Sequence, residues 1–467
     1  MTASGARPTT LGELRASGHE PEPVKHEMRR NLLARMRTGE PLLPGIVGYD
    51  ATVLPQVANA IISGHDLILL GERGQAKSRL MRSLIAFLDP EIPVIAGCDI
   101  NDHPYDPICR RCRDVVAEQG DQTPLAWLPR DRRYGEKLAT PDISIADLIG
   151  EVDPIKVAEG RYLADELTIH YGLVPRCNRG IFAINELPDL AERIQVGLLN
   201  IMEEKDVQIR GYRIRLPLDI FVVASANPED YTSRGRIITP LKDRFGSQVR
   251  THYPLTVTEE IEIMEGERME PPGDVEVLVP GFMKEIVAEL SHGARRSPHI
   301  SQSSGVSVRM SIGNYENLAS NSVRRAVRAN ESLAVPRISD LEFLVASTAG
   351  RVEIEALDEG KEEQVLGRIQ RGAVSAVFGR HFTAAQFEGL VNRFEEGTMI
   401  EVGESMPAAV YLKAVGDAPE LDSALRRLGL PDRPEVRASV LEFILEGLHL
   451  NKRLNKDEME GRALYRR

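Results

Sequence analysis

The sequence has little of what a membrane, secreted or nucleic-acid-binding protein requires. In its 467 residues no apolar run approaches the roughly 20 residues of a spanning helix, and the N-terminus lacks the apolar core of a signal peptide. The formal net charge of −12 argues against direct nucleic-acid binding. Four unevenly spaced cysteines do not indicate a disulfide framework. We therefore expect a cytoplasmic protein without a membrane span.

One stretch carries the strongest functional signal. Leu67–Leu70 is typical of a buried strand, a glycine-rich turn follows, and residues 79–88 have a helical pattern. The turn matches the phosphate-binding pattern G-x-x-x-x-G-K-[ST], except that Ala76 replaces the second glycine, a change that is costly only if φ is positive. Lys77 would reach the phosphates, and the Ser78 hydroxyl would bind Mg²⁺. An ordinary glycine turn is the alternative. The residues expected to bind nucleotide are Gly71, Glu72, Arg73, Gly74, Gln75, Ala76, Lys77, Ser78 and Arg79.

A second stretch contains three of the four cysteines. Cys109 and Cys112 have the C-x₂-C spacing of half a zinc site, and Cys98 and His103 are nearby candidates for the remaining ligands. The second pair of ligands that would complete a standard zinc pattern is missing. A structural zinc site and a loop with reduced thiols therefore both remain open. Cys177 is isolated in sequence and is expected to pack as a small apolar side chain.

Strands that alternate with helices predict an α/β fold with a parallel sheet covered on both faces. Gly180–Asn185 and Ile220–Ala226 have the apolar character of central strands, and residues 207–216 alternate around a glycine as a β-hairpin does. The sequence predicts a mobile arm at 1–25 and a nucleotide-binding domain at 26–255.

Three further segments complete the predicted domain organisation. The nucleotide-binding domain would carry a cysteine-containing surface insertion at about 97–142, because that stretch is polar and broken by prolines. Amphipathic helical patterns then predict a helical lid at 256–340 and a C-terminal helical region at 341–467.

With these pieces in order, the chain resembles an AAA+ ATPase of the MoxR and magnesium-chelatase I-subunit branch. Residues 71–78 are similar to the Walker A loop of MoxR proteins, and residues 172–186 resemble the chelatase segment that leads into Walker B. The hairpin at 207–216 is similar to the insertion before sensor 1. The resemblance implies an AAA+ P-loop NTPase core, followed by an α-helical lid and a C-terminal helical extension.

The resemblance also implies roles for four residues. Glu186 would be the general base that polarises the attacking water, and Asn227 would be the sensor 1 residue that orients that water or the γ-phosphate. Arg244 matches the arginine finger, which neutralises developing charge in the neighbouring subunit's site. Arg309 matches sensor 2, which couples the lid to the nucleotide.

The chain departs from the family pattern at Asn185, where Walker B has an aspartate. We expect Ser78 and Asn185 to bind the magnesium of Mg·ATP, because an amide oxygen can hold Mg²⁺ through a water. An amide supplies no negative charge, so we expect weaker magnesium binding and reduced turnover.

The resemblance implies an Mg·ATP-dependent ATPase that works as a homo-oligomeric ring, expected to be a hexamer. Its partner would carry a von Willebrand factor A domain, and its task would be chaperone-like remodelling for metal or cofactor insertion or complex maturation. Three alternatives stay open. They are a magnesium-chelatase subunit proper, a σ54-type activator, whose Gly-Ala-Phe-Thr-Gly-Ala loop is absent from the sequence, and a nucleotide-binding module without hydrolysis.

Overall fold

The chain forms two compact units. A computed structural model describes residues 7–153, 155, 166–204, 207–209, 212–214, 216–228, 236–270, 273, 275–301, 305–354, 361–459 and 461–467. The first unit comprises Met1–Glu72 and Ala76–His252, and the second comprises Arg73–Gln75 and Tyr253–Arg467. The α/β part thus ends at residue 252, close to the predicted end at 255. The tip of the predicted hairpin, residues 210 and 211, lies outside the described residues.

The first unit is built on a parallel sheet. Its described strands are β1 (Leu67–Leu70), β2 (Glu91–Ile95), β3 (Leu125–Pro129), β4 (Tyr134–Leu138), β5 (Gly150–Val152), β6 (Ile169–Tyr171), β7 (Gly180–Asn185), β8 (Val207–Ile209), β9 (Tyr212–Ile214), β10 (Ile220–Ala226) and β11 (Ser247–Arg250). The central sheet has the order β11-β1-β10-β7-β4, and each neighbouring pair is parallel. Leu67 of β1 is in register with Val223 of β10 and with Ser247 of β11.

Helices cover the sheet. Those of the first unit are α1 (Leu11–Ala16), α2 (Val24–Thr38), α3 (Val53–Ser63), α4 (Lys77–Ser83), α5 (Arg110–Gln119), α6 (Ile145–Leu148), α7 (Leu173–Arg176), α8 (Glu192–Glu204) and α9 (Thr239–Arg244). Ile68 and Leu70 of β1 join one buried cluster, and Leu67 and Leu69 join another, because successive side chains point to opposite faces. The predicted parallel sheet covered on both faces is confirmed.

The structure corrects the prediction of a mobile arm over the described part of residues 1–25. Residues 11–16 form α1, whose leucines are buried. The segment before α1 is tied to β3: the Leu125 amide donates to the Thr9 carbonyl at 2.8 Å, and the Trp127 indole N–H donates to the Pro8 carbonyl at 3.0 Å. These partners lie more than 100 residues away in sequence, so local composition gave no sign of them.

The predicted surface insertion at about 97–142 is also wrong in part. Its residues Tyr134–Leu138 form β4, an edge strand of the central sheet with Gly135 opposite Phe182 of β7. Among the described strands β4 is the last in the order of this sheet, and its polar sequence, as is common at sheet edges, concealed it in the sequence analysis. Strand β2, just before this stretch, pairs antiparallel with β3 outside the central sheet.

The second unit is mainly helical. Its described helices and strands are α10 (Val257–Glu267), β12 (Glu276–Val277), α11 (Gly281–Arg296), α12 (Val308–Ala329), β13 (Leu333–Ala334), α13 (Val345–Thr348), α14 (Lys361–His381), α15 (Glu388–Glu395), β14 (Ile400–Gly403), α16 (Ala408–Val415), α17 (Pro419–Leu428), α18 (Pro434–Leu450), β15 (Asn455–Met459) and β16 (Arg462–Arg466). The last three strands form an antiparallel sheet in the order β14-β16-β15, which the sequence analysis missed because β15 and β16 are highly charged.

One hydrophobic cluster runs through the second unit from Met264 to Tyr465, so the predicted boundary between 340 and 341 falls inside a continuous core. Asp340 is itself fully buried and accepts hydrogen bonds from Asn321 and Arg325. A boundary normally falls where few contacts cross. Within the described part of the chain, every helix is too short or too polar to cross a membrane.

Candidate functional site

The predicted phosphate-binding loop connects the end of β1 to the start of α4. Ala76 adopts left-handed backbone angles, with φ 54° and ψ 18°, and Gly74 has φ 78°. A non-glycine residue in this conformation costs roughly 1–2 kcal/mol. The costly case foreseen for alanine therefore applies, and such strain is typical of loops held in place for a ligand.

A chain of hydrogen bonds joins the ends of β1, β7 and β10. The buried Lys77 ammonium donates to the Gly71 carbonyl, to the Glu72 carbonyl at 2.8 Å and to Asn227 Oδ1 at 2.8 Å. Asn227 Nδ2 in turn donates to Glu186 Oε2 at 2.9 Å. The structure thus brings together three residues to which the sequence assigned phosphate binding, water orientation and general-base catalysis.

The predicted magnesium ligands are also adjacent. Ser78 Oγ donates to Asn185 Oδ1 at 2.9 Å, and the buried Ser225 hydroxyl donates to the same oxygen at 3.1 Å. Ser225 also accepts the Glu186 amide at 3.2 Å, and Glu186 itself is left-handed with φ 56°. The sequence analysis missed Ser225, although a lone hydroxyl in the apolar run of β10 was a usable signal.

Glu136 of β4 supplies a carboxylate beside Asn185, whose Nδ2 donates to Glu136 Oε1. Arg82 forms a two-pronged ion pair with the same carboxylate, at 2.7 and 2.9 Å. Burial alone would raise the pKa of Glu136, but hydrogen bonds from Arg82, Tyr134 and Asn185 and the charge of Arg82 together hold that pKa below its usual range. A carboxylate thus lies beside Asn185 on the neighbouring strand, in a stretch that the sequence analysis had assigned to a surface insertion.

The remaining loop residues occupy different places. Residues 73–75 group with the second unit. Gln75 is buried, and Arg73 is exposed. The exposed Arg79 lies beside Gly45, where an added Cβ would be 3.0 Å from its guanidinium.

The predicted arginine finger, Arg244, and the predicted sensor 2 residue, Arg309, are both exposed. Arg244, at the end of α9, forms an ion pair with Glu203 of α8, and both side chains are about two-fifths exposed at 43% and 40%. Arg309 lies on the first turn of α12, where its amide donates to Ser307 Oγ at 3.1 Å. Their roles at a nucleotide remain predictions.

The cysteine loop brings together a different set of ligands from the predicted one. Cys98, Cys109 and Cys112 converge, but the fourth group is Asp102 and not His103. His103 Nδ1 accepts the Tyr105 amide at 3.0 Å, and His103 is not among the converging groups. Cys177 is buried and lies apart from this cluster, as expected for a packed side chain.

The donor set of the site fits Mg·ATP. An ammonium, a hydroxyl, an amide oxygen and two carboxylates, those of Glu136 and Glu186, lie around the carboxyl ends of parallel strands. Crevices at such strand ends are where open α/β sheets bind ligands. Oxygen ligands suit Mg²⁺, and lysine beside a strained loop suits phosphate.

Comparisons with known proteins found sequence relatives among magnesium-chelatase subunits. The chain is 31% identical over 225 residues to the magnesium-chelatase 38 kDa subunit of Cereibacter sphaeroides, a match that covers 47% of this chain and 61% of that subunit. It is 26% identical over 352 residues to the magnesium-chelatase subunit ChlI of Nostoc, covering 69% and 88%. It is 30% identical over 223 residues to the chloroplastic subunit ChlI-1 of Arabidopsis thaliana, covering 45% and 48%. No model of a known protein family matches the chain.

Solved structures align only loosely. A cryo-EM-based structure of the complex between magnesium-chelatase subunits BchI and BchD has a TM-score of 0.35 at 19% identity, covering 68% of this chain and 99% of that one. NtrX from Brucella abortus has a TM-score of 0.41 at 15% identity, covering 82% and 72%. The similarity therefore rests on the sequence relatives, which are magnesium-chelatase subunits, and the chain spans 61% of the length of the Cereibacter subunit and 48% of the Arabidopsis one. The parallel sheet covered by helices and the mainly helical second unit agree with the fold expected of an AAA+ ATPase of the magnesium-chelatase I-subunit type.

Proposed function

We propose that this chain is an Mg·ATP-dependent ATPase that works as a homo-oligomeric ring, with the remodelling or chaperone-like role expected of this branch. The observation that carries the proposal is the hydrogen-bonded chain from Lys77 through Asn227 to Glu186. It places a cation, a polar orienting group and a carboxylate within reach of one another at the end of the sheet. That combination is what positioning of a phosphate and a water requires.

Each residue of the chain has a defined task in this proposal. Lys77 exchanges loop carbonyls for phosphate oxygens, and the loop amides surround the same anion. Asn227 holds the Glu186 carboxylate in one orientation, and that carboxylate accepts the proton of the attacking water. Mg²⁺, held through Ser78 and Asn185, neutralises negative charge on the phosphates when it is bound.

Glu136 supplies a second carboxylate beside Asn185, and Arg82 compensates part of its charge. Because it accepts the Asn185 amide, this carboxylate would act on a bound Mg²⁺ only through Asn185. Outer-shell partners of metal ligands commonly change affinity by about 10–100-fold. Hydrolysis at a reduced magnesium affinity is therefore favoured over a module without hydrolysis.

The proposal of a ring rests on Arg244, because an arginine finger acts at the nucleotide of a neighbouring subunit. An exposed ion pair such as Arg244–Glu203 contributes about 0–1 kcal/mol, so Arg244 can leave it readily for a neighbouring subunit's nucleotide. The relatives are named as subunits of magnesium chelatase, which favours a partner protein for this chain. The resemblance implies that this partner carries a von Willebrand factor A domain. We expect a hexamer in the cytoplasm. A magnesium-chelatase subunit proper is the second candidate.

The test is steady-state ATP hydrolysis over a range of protein concentrations. Turnover per chain should rise with concentration as rings form. It should be lost in Glu186→Gln and fall by about 10³-fold in Arg244→Ala. Glu203→Gln, which removes the ion pair but keeps the arginine, is the matched control and should retain turnover.

Other outcomes identify the rival functions. ATP binding without turnover at any concentration would contradict the ATPase and favour a nucleotide-binding switch. Equal turnover per chain at all concentrations, with Arg244→Ala fully active, would contradict the shared site but not hydrolysis itself. Stimulation of magnesium insertion into a porphyrin by the chain with chelatase partner subunits would favour the chelatase alternative.

A further inference from the structure

A cluster of metal-binding side chains lies outside the nucleotide site. Cys98, Asp102, Cys109 and Cys112 each offer one ligand atom, and these four atoms lie within 4.8 Å of one another. Asp102 and Cys112 are fully buried, and Cys109 is 4% exposed. The cluster forms where the loop after β2 meets the first turn of α5.

The Asp102 carboxylate shows that the cluster is incomplete by itself. Its Oδ2 accepts the Cys109 amide at 3.0 Å. Its Oδ1 is buried and has no hydrogen-bond partner among the described residues. A buried, unsatisfied carboxylate oxygen is costly and needs a cation or donor as an explanation.

Donor groups surround the sulfur atoms of the cluster. The Asp102 amide donates to Cys98 Sγ at 3.3 Å, and the Cys112 amide donates to Cys109 Sγ at 3.4 Å. The guanidinium of Arg111 lies 4.0 Å from Cys112 Sγ. These contacts hold the sulfur atoms in the positions in which they converge, and the thiolate is the form of cysteine that binds metal.

From these observations we propose that Cys98, Asp102, Cys109 and Cys112 bind one structural Zn²⁺. Three thiolates and one carboxylate are a suitable tetrahedral set, and thiolates select zinc over magnesium or calcium. With Zn–S bonds of about 2.3 Å, the sulfur atoms are about 3.7 Å apart, so the observed spacing is at most about 1 Å too wide. Binding releases the thiol protons to solvent.

The site would fix the loop that supports the strand bearing Asn185. Between the first two ligands, Asn101 Nδ2 donates to the Arg176 carbonyl at 2.7 Å, and Asn178 Nδ2 donates to the Ile100 carbonyl at 3.0 Å. Residues 176–178 lead directly into β7. Zinc would therefore stabilise the first unit and the segment that precedes β7, without contacting the nucleotide.

The test is zinc analysis of the purified full-length protein, prepared with reductant and with zinc in the growth medium. We expect about one Zn²⁺ per chain, as one four-ligand site requires. Cys112→Ser and Asp102→Asn should lose it or bind it at least about 10-fold more weakly. His103→Gln and Cys177→Ser, which remove the histidine and the buried thiol outside the cluster, are the matched controls and should retain one Zn²⁺.

Measurements on the wild-type chain keep the test independent of how well the variants fold. Removal of zinc by a chelator should lower the melting temperature, and re-addition should restore it. Substitution with Co²⁺ should give the charge-transfer absorption of thiolate ligands. The proposal is overturned by a wild-type chain that takes up no zinc, by a disulfide among the three cysteines under native conditions, or by zinc loss in His103→Gln with retention in Asp102→Asn.

Discussion

Glu136 places a carboxylate beside Asn185 from the neighbouring strand. Asn185 Oδ1 accepts a hydrogen bond from Ser78, and Asn185 Nδ2 donates to Glu136. Because Arg82 and Tyr134 also donate to Glu136, its carboxylate stays ionised at neutral pH. An aspartate at 185 would place two negative charges in contact in the absence of a cation.

Glu136→Gln tests this role of the neighbouring strand. The substitution removes the charge but keeps an oxygen that can accept the Asn185 amide. We expect the magnesium concentration for half-maximal ATP binding to rise roughly 10-fold, because an outer-shell carboxylate is lost. The measurement is a magnesium titration of ATP binding.

Glu91→Gln is the matched control for this experiment. Glu91 lies on β2 and forms an ion pair with the exposed Arg7 at 2.6 Å, away from the nucleotide loop. Its magnesium titration should follow that of the wild type. A Glu136→Gln titration that also follows the wild type would show that Asn185 binds magnesium without help from Glu136.

Buried ion pairs connect helices in the second unit. Glu260 of α10 is fully buried and accepts hydrogen bonds from Arg295 of α11, at 2.7 and 3.0 Å, and from Ser311 of α12. Burial alone would raise the pKa of Glu260, but His292, Arg295 and Ser311 outweigh it and hold that pKa below its ordinary value of 4.5. Three helices therefore share one carboxylate.

The depressed pKa of Glu260 predicts acid lability of this helix group. The unfolded carboxyl binds a proton more readily than the folded one, so the stabilisation is complete above pH 4.5 and is lost as pH falls through the lower folded pKa. The free energy of unfolding of the second unit should fall over that acidic range. Glu260→Gln should be less stable at neutral pH and should show a flatter dependence, measured by urea unfolding at several pH values.

Glu262→Gln provides the comparison for Glu260→Gln. Glu262 lies on the same helix but is exposed to solvent. This variant should keep the wild-type stability and the wild-type pH dependence. If Glu260→Gln unfolds with the same acid dependence as Glu262→Gln, other carboxylates carry the acid lability.

At the scale of the whole molecule, the second unit has one hydrophobic core that residues on both sides of position 340 share. Phe282 of α11 stacks on Phe443 of α18 with ring centres 4.4 Å apart, across a gap of more than 150 residues in sequence. A hydrogen bond also crosses the predicted boundary at 340: the Arg337 guanidinium donates to the Met406 carbonyl at 2.6 Å. A lid of residues 256–340 alone would expose the apolar faces that these contacts bury.

A chain truncated after residue 340 should therefore lose the structure of its lid. We expect residues 257–340 to become open to limited proteolysis, because the core that they share with α14 and α18 is gone. The first unit, with its own cores, should remain resistant to protease. The full-length chain is the reference, and protection of α11 and α12 in the truncated chain would show that the lid folds alone.

The sequence alone determined the elements whose signal is local. β1, β7 and β10 are continuous apolar runs, and the residues that follow them, Lys77, Glu186 and Asn227, could be located from those runs. Because parallel strands present their carboxyl ends at one edge, their convergence also followed from the sequence. The fold class was predictable for the same reason.

Only the tertiary structure decided which side chains complete each site. Glu136 lies on a polar edge strand, and Asp102 is set among cysteines by the turn before α5, so neither had a periodic or spacing signal. The α1 segment is held by hydrogen bonds to residues more than 100 positions away in sequence. The second unit has one core because α11 packs against α18. Pairings between distant segments depend on packing, which no local pattern in a single sequence contains.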